Sequence, residues 1–331
     1  MTELINSITS SPMYDYFTRA ATQILMILLY IGIGFILRRS KLLPDSTSKS
    51  LSLLETFVFL PALIFNNLST NVQIEKITSY SVIVTSGVLF LGAVLVVAFV
   101  FTKIFMRGRP ADEYGTYMYM FAFANYGYVG YPVIEGVFGS GMLTSMILFA
   151  VPFTFAIYTY GAILLSNDGK SKKLTIPPKM IPILCALALG VIVGLTGIKL
   201  PSVVTSMTGA LKGCMSPVAM IMTGFVLGSL NFKQIFSSGR AYAISIVRLV
   251  VIPMIFIGAL LLLGVFIDIP AELMIIPLFV ASMPIGLNAV IFVEAAGRDS
   301  TENARTCLIS YILALITVPI VIAFLSQYVL A

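Results

Sequence analysis

Apolar runs of about twenty residues, each closed by a short polar break, recur along the whole chain. They lie near residues 20–37, 51–68, 78–105, 113–138, 142–166, 179–197, 203–229, 240–265, 271–296 and 303–328. Runs of that length read as membrane-spanning helices, and the pattern predicts an all-α polytopic membrane protein with ten transmembrane helices. The longest polar stretch, 167–179, is short and basic. Asp15 and Arg19 precede the first run, no short apolar region is followed by a small-residue cleavage site, and further spans follow. The first run therefore reads as a retained helix rather than a cleavable signal.

Composition strengthens this picture and removes several function classes. The chain is 59% hydrophobic and only 10% charged, with a mean hydropathy of +1.02. Nothing in it resembles a soluble domain. Cys185, Cys214 and Cys307 all fall in apolar segments without a Cys-x-x-Cys pair or metal spacing, so they read as buried small residues. Histidine is absent, which removes the commonest general base and excludes Ser-His intramembrane proteolysis. No apolar run carries an Asp near its middle, which argues against an aspartyl dyad. The reading is therefore not an enzyme, and no cofactor or metal is expected.

The net charge of +6 is a matter of position rather than of nucleic-acid binding. Numbered in chain order, the odd connections hold fifteen of the twenty Lys and Arg residues, the even connections and the ends four, and Arg248 lies inside the eighth run. The positive-inside rule puts the odd connections in the cytoplasm and both termini outside a plasma or inner membrane. Five helices per half make any two-fold internal repeat inverted. Residues 1–166 are then a first five-helix repeat, 167–179 a cytoplasmic basic loop, and 180–331 a second, inverted repeat. Pro61 in "FLPALIF" and Pro217 in "MSPVAMIM" lie 156 residues apart, as do Gly130 and Gly286. Transporters built this way hold substrate near the midplane, where broken helices of the two repeats meet.

Two runs carry such breaks. Predicted helix 4 has Asn125, Gly127, Gly130 and Pro132 within eight residues, and predicted helix 9 has Pro284, Gly286 and Asn288 within five. Proline removes a backbone donor, and glycine costs about 1 kcal/mol against alanine in a helix. Close packing with a tolerated kink explains one such helix. Two breaks at matching positions of the two halves, each beside an Asn, point instead to a binding site. Half-helix N-termini opened there present N–H groups and a positive dipole end to an anion. Asn125 and Asn288 add amide donors and acceptors, with Tyr126 and Ser282 beside them.

"NYGYVGYPVIEGVFG" resembles the helix 4 segment of the auxin efflux carrier family, and "SMPIGLNAVIFVEAAG" its helix 9 segment. "TFVFLPALIF" and "VRLVVIPMI" are similar to that family's helix 2 and helix 8 signatures. The four matches span both halves of the chain. The resemblance implies a ten-helix inverted repeat with broken, crossing helices 4 and 9, a scaffold of helices 1, 2, 6 and 7, and a transport unit of helices 3–5 and 8–10. It also implies small organic anions as substrates, as for the family's prokaryotic malate and malonate permeases. Ala124 stands where the plant carriers have a Pro before the crossing Asn, and the central loop is short; both features fit the prokaryotic branch better.

Ionisable residues inside the runs are functional candidates because an ionised group at that depth is costly. Arg248 lies about 12 Å into the eighth run at 1.5 Å per residue; it either contacts an anionic substrate or caps the carbonyls of a broken helix. Glu55, one turn into the second run, fits the membrane interface, with proton coupling as the alternative. Glu135 and Glu294 lie near helix ends and are proton-coupling candidates of the same kind. Tyr128 and Tyr131 fit packing roles better than ligand contact.

The leading expectation is a secondary active transporter, a permease or efflux carrier, that carries small organic anions by alternating access. The alternatives are a sodium-coupled organic-anion symporter of the bile-acid type and a transporter-like membrane receptor. The first would want more carboxylate, hydroxyl and amide oxygens than Asn125, Ser282 and Asn288 supply; the second would be expected to append a signalling domain. Expected partners are the organic anion, the lipid bilayer and, through the scaffold helices, a second copy of the chain.

Overall fold

The computed structural model describes residues 12–165, 181–229, 236–295 and 300–330. The basic loop expected over 167–179 lies outside the described residues. The helices are α1 (Pro12–Arg39), α2 (Thr47–Asn71), α3 (Ile77–Phe105), α4 (Tyr114–Ala122), α5 (Tyr131–Phe138), α6 (Ser140–Phe149) and α7 (Val151–Leu165). They continue with α8 (Ile181–Thr196), α9 (Ser202–Leu227), α10 (Gly239–Gly264), α11 (Ala271–Ser282), α12 (Asn288–Ala295) and α13 (Thr301–Leu330). Among the described residues the only β feature is one isolated antiparallel bridge, Ala124 to Ile285.

α1, α2, α3, α9, α10 and α13 are each long and apolar enough to cross a membrane. Large side chains on their outer faces stay exposed, among them Leu25, Leu29 and Ile36 on α1, Leu89 and Val96 on α3, and Met254 and Leu262 on α10. On a water-soluble protein such bands are association surfaces, whereas in lipid they are the solvent-facing side. The chain is a multi-pass membrane protein.

The predicted run 142–166 is not one helix. α6 and α7 form a pair bent by 48° at Ala150 and Val151, where Pro152 starts the second piece without an amide donor. Proline also sets three other irregularities. Wide π-turns cover Glu55–Phe59 inside α2, Tyr126–Gly130 ahead of α5, and Val247–Val251 inside α10. Each is followed by a proline at the second position of the next helical piece: Pro61, Pro132 and Pro253. A proline ring clashes with the carbonyl four residues back, here Phe57, Tyr128 and Leu249, and the widened turn moves that carbonyl aside.

The chain folds into two compact units. The first gathers Met1–Met26, Gly92–Val137 and Phe232–Ala331. In it α13 packs on α10 and α11, and the buried core includes Phe121, Phe123, Phe279 and Val290.

The second unit gathers Ile27–Leu91 and Phe138–Asn231. Here α8 lies along α2, and small residues set the spacing. A Cβ added at Gly194 would stand 2.7 Å from the Leu68 carbonyl oxygen. α1 and α9 approach reciprocally: a Cβ at Gly34 would strike the Ile221 carbonyl, and one at Gly224 the Ile31 carbonyl. Without a hydrophobic drive between helices in lipid, such close backbone approach is what packs them. Phe90, Phe149 and Phe153 form an aromatic cluster between α3 and the α6–α7 bend.

Candidate functional site

In the first unit, the two segments singled out by their glycines and prolines meet. α4 stops at Ala122 because Phe123 turns extended, with φ −111° and ψ 113°. α11 stops at Ser282 because Met283 does the same, with φ −71° and ψ 147° ahead of Pro284. The extended residues pair: the Asn125 N–H donates to the Pro284 carbonyl at 2.7 Å, and the Gly286 N–H donates to the Phe123 carbonyl at 3.1 Å. Backbone opened inside a membrane protein needs partners of its own, and each break supplies them to the other. Gly286 suits this approach, since a Cβ there would stand a tight 3.3 Å from the Phe123 oxygen.

Asn125 is buried and its amide is engaged within the protein. Its oxygen accepts from the Tyr128 N–H at 3.1 Å, which caps the π-turn at Tyr126, and its Nδ2 donates to the Tyr311 hydroxyl at 2.5 Å. Tyr311 belongs to a stripe that the sequence reading missed. Asn303, Cys307, Ser310 and Tyr311 lie four, three and one residue apart on α13, so all four face the crossing. Asn303 donates to the Ala289 carbonyl at 2.8 Å. The Ser310 hydroxyl accepts from the Ile285 N–H at 3.2 Å and donates to the Cys307 carbonyl at 2.7 Å. The legible signal was polar residues at helical spacing in an otherwise apolar run. Apart from the Ser310–Cys307 bond, what they bond to is more than a dozen residues away in the chain, so spacing alone did not give their role.

Arg248 lies in the π-turn of α10 and is 2% exposed. Its Nη1 donates to the Ala281 carbonyl at 2.6 Å and its Nη2 reaches the Val280 carbonyl at 3.5 Å. It therefore occupies the carbonyl end of α11, where the helix dipole is negative and the break leaves acceptors open. Of the two roles open to it in the sequence, this is the capping one. Nε has no hydrogen-bond partner.

The remaining candidates divide by exposure. Tyr126, Gly130, Ser282, Pro284 and Gly286 are buried, and the Ser282 hydroxyl turns back to the Leu278 carbonyl at 2.7 Å. Tyr126 packs edge-on against Tyr131, with ring centroids 5.9 Å apart. Gly127, Pro132 and Asn288 are half-buried. A Cβ at Gly127 would meet open space, and the Asn288 side chain makes no hydrogen bond within the described residues. Glu135 is half-buried and engaged with another group, while the side chain of Glu294 lies outside the described residues.

Glu55 departs from its expected interfacial position. It is in the second unit and fully buried. α2 begins at Thr47 rather than at 51, because a polar first turn precedes the apolar run, and Glu55 is thus about two turns inside the helix.

A family model described as membrane transport protein matches residues 19–181 and 172–322. The chain belongs to this family of auxin efflux carrier-like membrane transport proteins. It is also similar to an uncharacterized transporter of Methanothermobacter thermautotrophicus, 26% identical over 316 residues that cover 92% of this chain and 98% of the relative. A second uncharacterized transporter, from Methanocaldococcus jannaschii, is 24% identical over 218 residues, covering 63% of this chain and 70% of the relative.

Proposed function

We propose that the protein is a secondary active transporter of small organic anions, working by alternating access with substrate held where the two broken helices cross. The observation that carries this reading is the backbone pairing of Phe123–Asn125 with Pro284–Gly286 in a member of a membrane transport family. The π-turn at Tyr126 and helix α12 both begin at that crossing, so two positive helix ends start there, which favours a carboxylate. Asn288, with an unengaged amide at the start of α12, is the residue best placed to recognise it, and Gly127 leaves room for it. Asn125, Tyr311 and Arg248 hold the crossing in shape.

Reading α4 with α5, α6 with α7, and α11 with α12 as broken spans, and α8 as a short one, supports ten spans in two inverted five-helix repeats. A mobile transport unit moving against a scaffold, as in an elevator, fits that arrangement, as does a dimer formed through the scaffold. Proteoliposomes carrying the purified protein test the reading. Radiolabelled malate should enter, and unlabelled malonate and succinate should compete better than their neutral amides. Equal competition by the amides sinks the anion reading.

A further inference from the structure

Glu55 is a fully buried carboxyl in the second unit, and neither Oε1 nor Oε2 has a hydrogen bond. The Ala219 backbone approaches it without reaching ordinary hydrogen-bond geometry. It opens the π-turn Glu55–Phe59 that Pro61 forces on α2, opposite α9, which carries Pro217 two residues before Ala219. α2 and α9 correspond to predicted helices 2 and 7, which belong to the scaffold in the transport reading.

The elements packed on this turn are α8 and α9, besides the rest of α2. α8 has no charged side chain, and its Cys185 is exposed. On α9, Cys214 is exposed, and Lys212 is seven residues from Ala219, about 10 Å along the axis. On α2, Lys49 is exposed. Among the described residues, no cation is in an ion pair with the carboxyl. An ionised carboxylate buried without a partner is so unfavourable that the group takes up a proton instead. A metal ion would require several oxygens around it. The neighbouring Thr56 hydroxyl is turned to the Ser52 carbonyl at 2.8 Å, and the described residues hold no cluster of metal-ligating side chains.

We propose that Glu55 is a proton-binding site in the interior of this unit, and that loading and releasing its proton is a step of the transport cycle. The second part rests on the transporter reading; the first does not. In the packed arrangement the carboxyl holds its proton as neutral –COOH; when water reaches it during the cycle, the O–H bond breaks, the proton leaves to water and –COO⁻ remains.

Two measurements on the full-length protein test this separately. Infrared difference spectra of the reconstituted protein at neutral pH should contain a protonated-carboxyl band that shifts in D₂O and is lost in Glu55→Gln. It should persist in Asn288→Ala, which leaves the proton site untouched. Absence of a Glu55-dependent band overturns the proton site whatever the protein transports. If Glu55→Gln does not fold, carbodiimide modification of the unmutated protein, mapped by mass spectrometry, replaces it: labelling at Glu55 supports the site and its absence overturns it. In proteoliposomes an imposed pH gradient should change the initial rate of malate uptake, and Glu55→Gln should lose that dependence. Retained dependence overturns the coupling, and dependence on a sodium gradient instead overturns the choice of ion. If malate is not taken up at all, the transporter reading fails for that probe while the infrared result still decides the proton site.

Discussion

The two asparagines at the crossing look equivalent in the chain and are not equivalent in the fold. Asn125 uses both ends of its amide, on the Tyr128 N–H and the Tyr311 hydroxyl, inside a buried site. Asn288 is half-buried with its amide unengaged. Replacing Asn125 by Ala removes a cap and strands the Tyr311 hydroxyl, which should cost about 1–2 kcal/mol of stability. Replacing Asn288 by Ala should change stability by less than about 0.5 kcal/mol and yet weaken malate binding by tenfold or more, the loss of about one charge-assisted hydrogen bond. Thermal unfolding in detergent and equilibrium binding of labelled malate read the two effects. A stable Asn125→Ala protein beside an Asn288→Ala protein with intact binding would reverse the assignment. Arg248 shows the same distinction: its depth was readable, whereas its attachment to the Val280 and Ala281 carbonyls depended on where α11 ends.

At the scale of elements, glycines divide by what a side chain would meet. Gly224 faces the Ile31 backbone of α1, so Gly224→Ala forces two long helices apart. Backbone cannot rotate away as a side-chain tip can, and overpacking of this kind costs about 1–3 kcal/mol. Gly127 faces open space, and alanine is the better helix former by about 1 kcal/mol, so Gly127→Ala should leave stability unchanged or raised. If Gly127 lines the substrate path, malate uptake should nevertheless fall. Unfolding midpoints of the two variants check the first contrast and proteoliposome uptake the second; equal midpoints would refute the packing argument. Prolines were legible as kink sites, but whether a kink becomes a π-turn, as at Pro61, or is absorbed, as at Pro217 within α9, depended on the neighbouring helices.

At the scale of the molecule, the distribution of Lys and Arg predicts which connections face the cytoplasm. With the native cysteines replaced by serine, a cysteine at Arg107, an exposed residue after α3, should react with an impermeant thiol reagent from the cytoplasmic side. One at Glu75, exposed before α3, should react from the opposite side. Labelling of both from one side would remove the inverted repeat. The family match and the long apolar helices establish a multi-pass transporter-family protein, and this experiment addresses its orientation.

By itself, the sequence determined the class and the places of weakness. Lipid admits few spanning structures, so runs of about twenty apolar residues specify helices with little ambiguity. Gly and Pro act through their own backbone, so the interruptions at Asn125 to Pro132 and at Pro284 to Asn288 could be read locally. Tertiary structure alone decided what those interruptions do. The bonds from Asn125 to Pro284 and Tyr311, from Arg248 to Ala281, and the burial of the unpartnered Glu55 carboxyl all involve residues far apart in the chain or in different helices. Hydrogen bonds act over a few ångströms, so their partners are fixed by which helices come within that reach, and no periodicity along one helix records it.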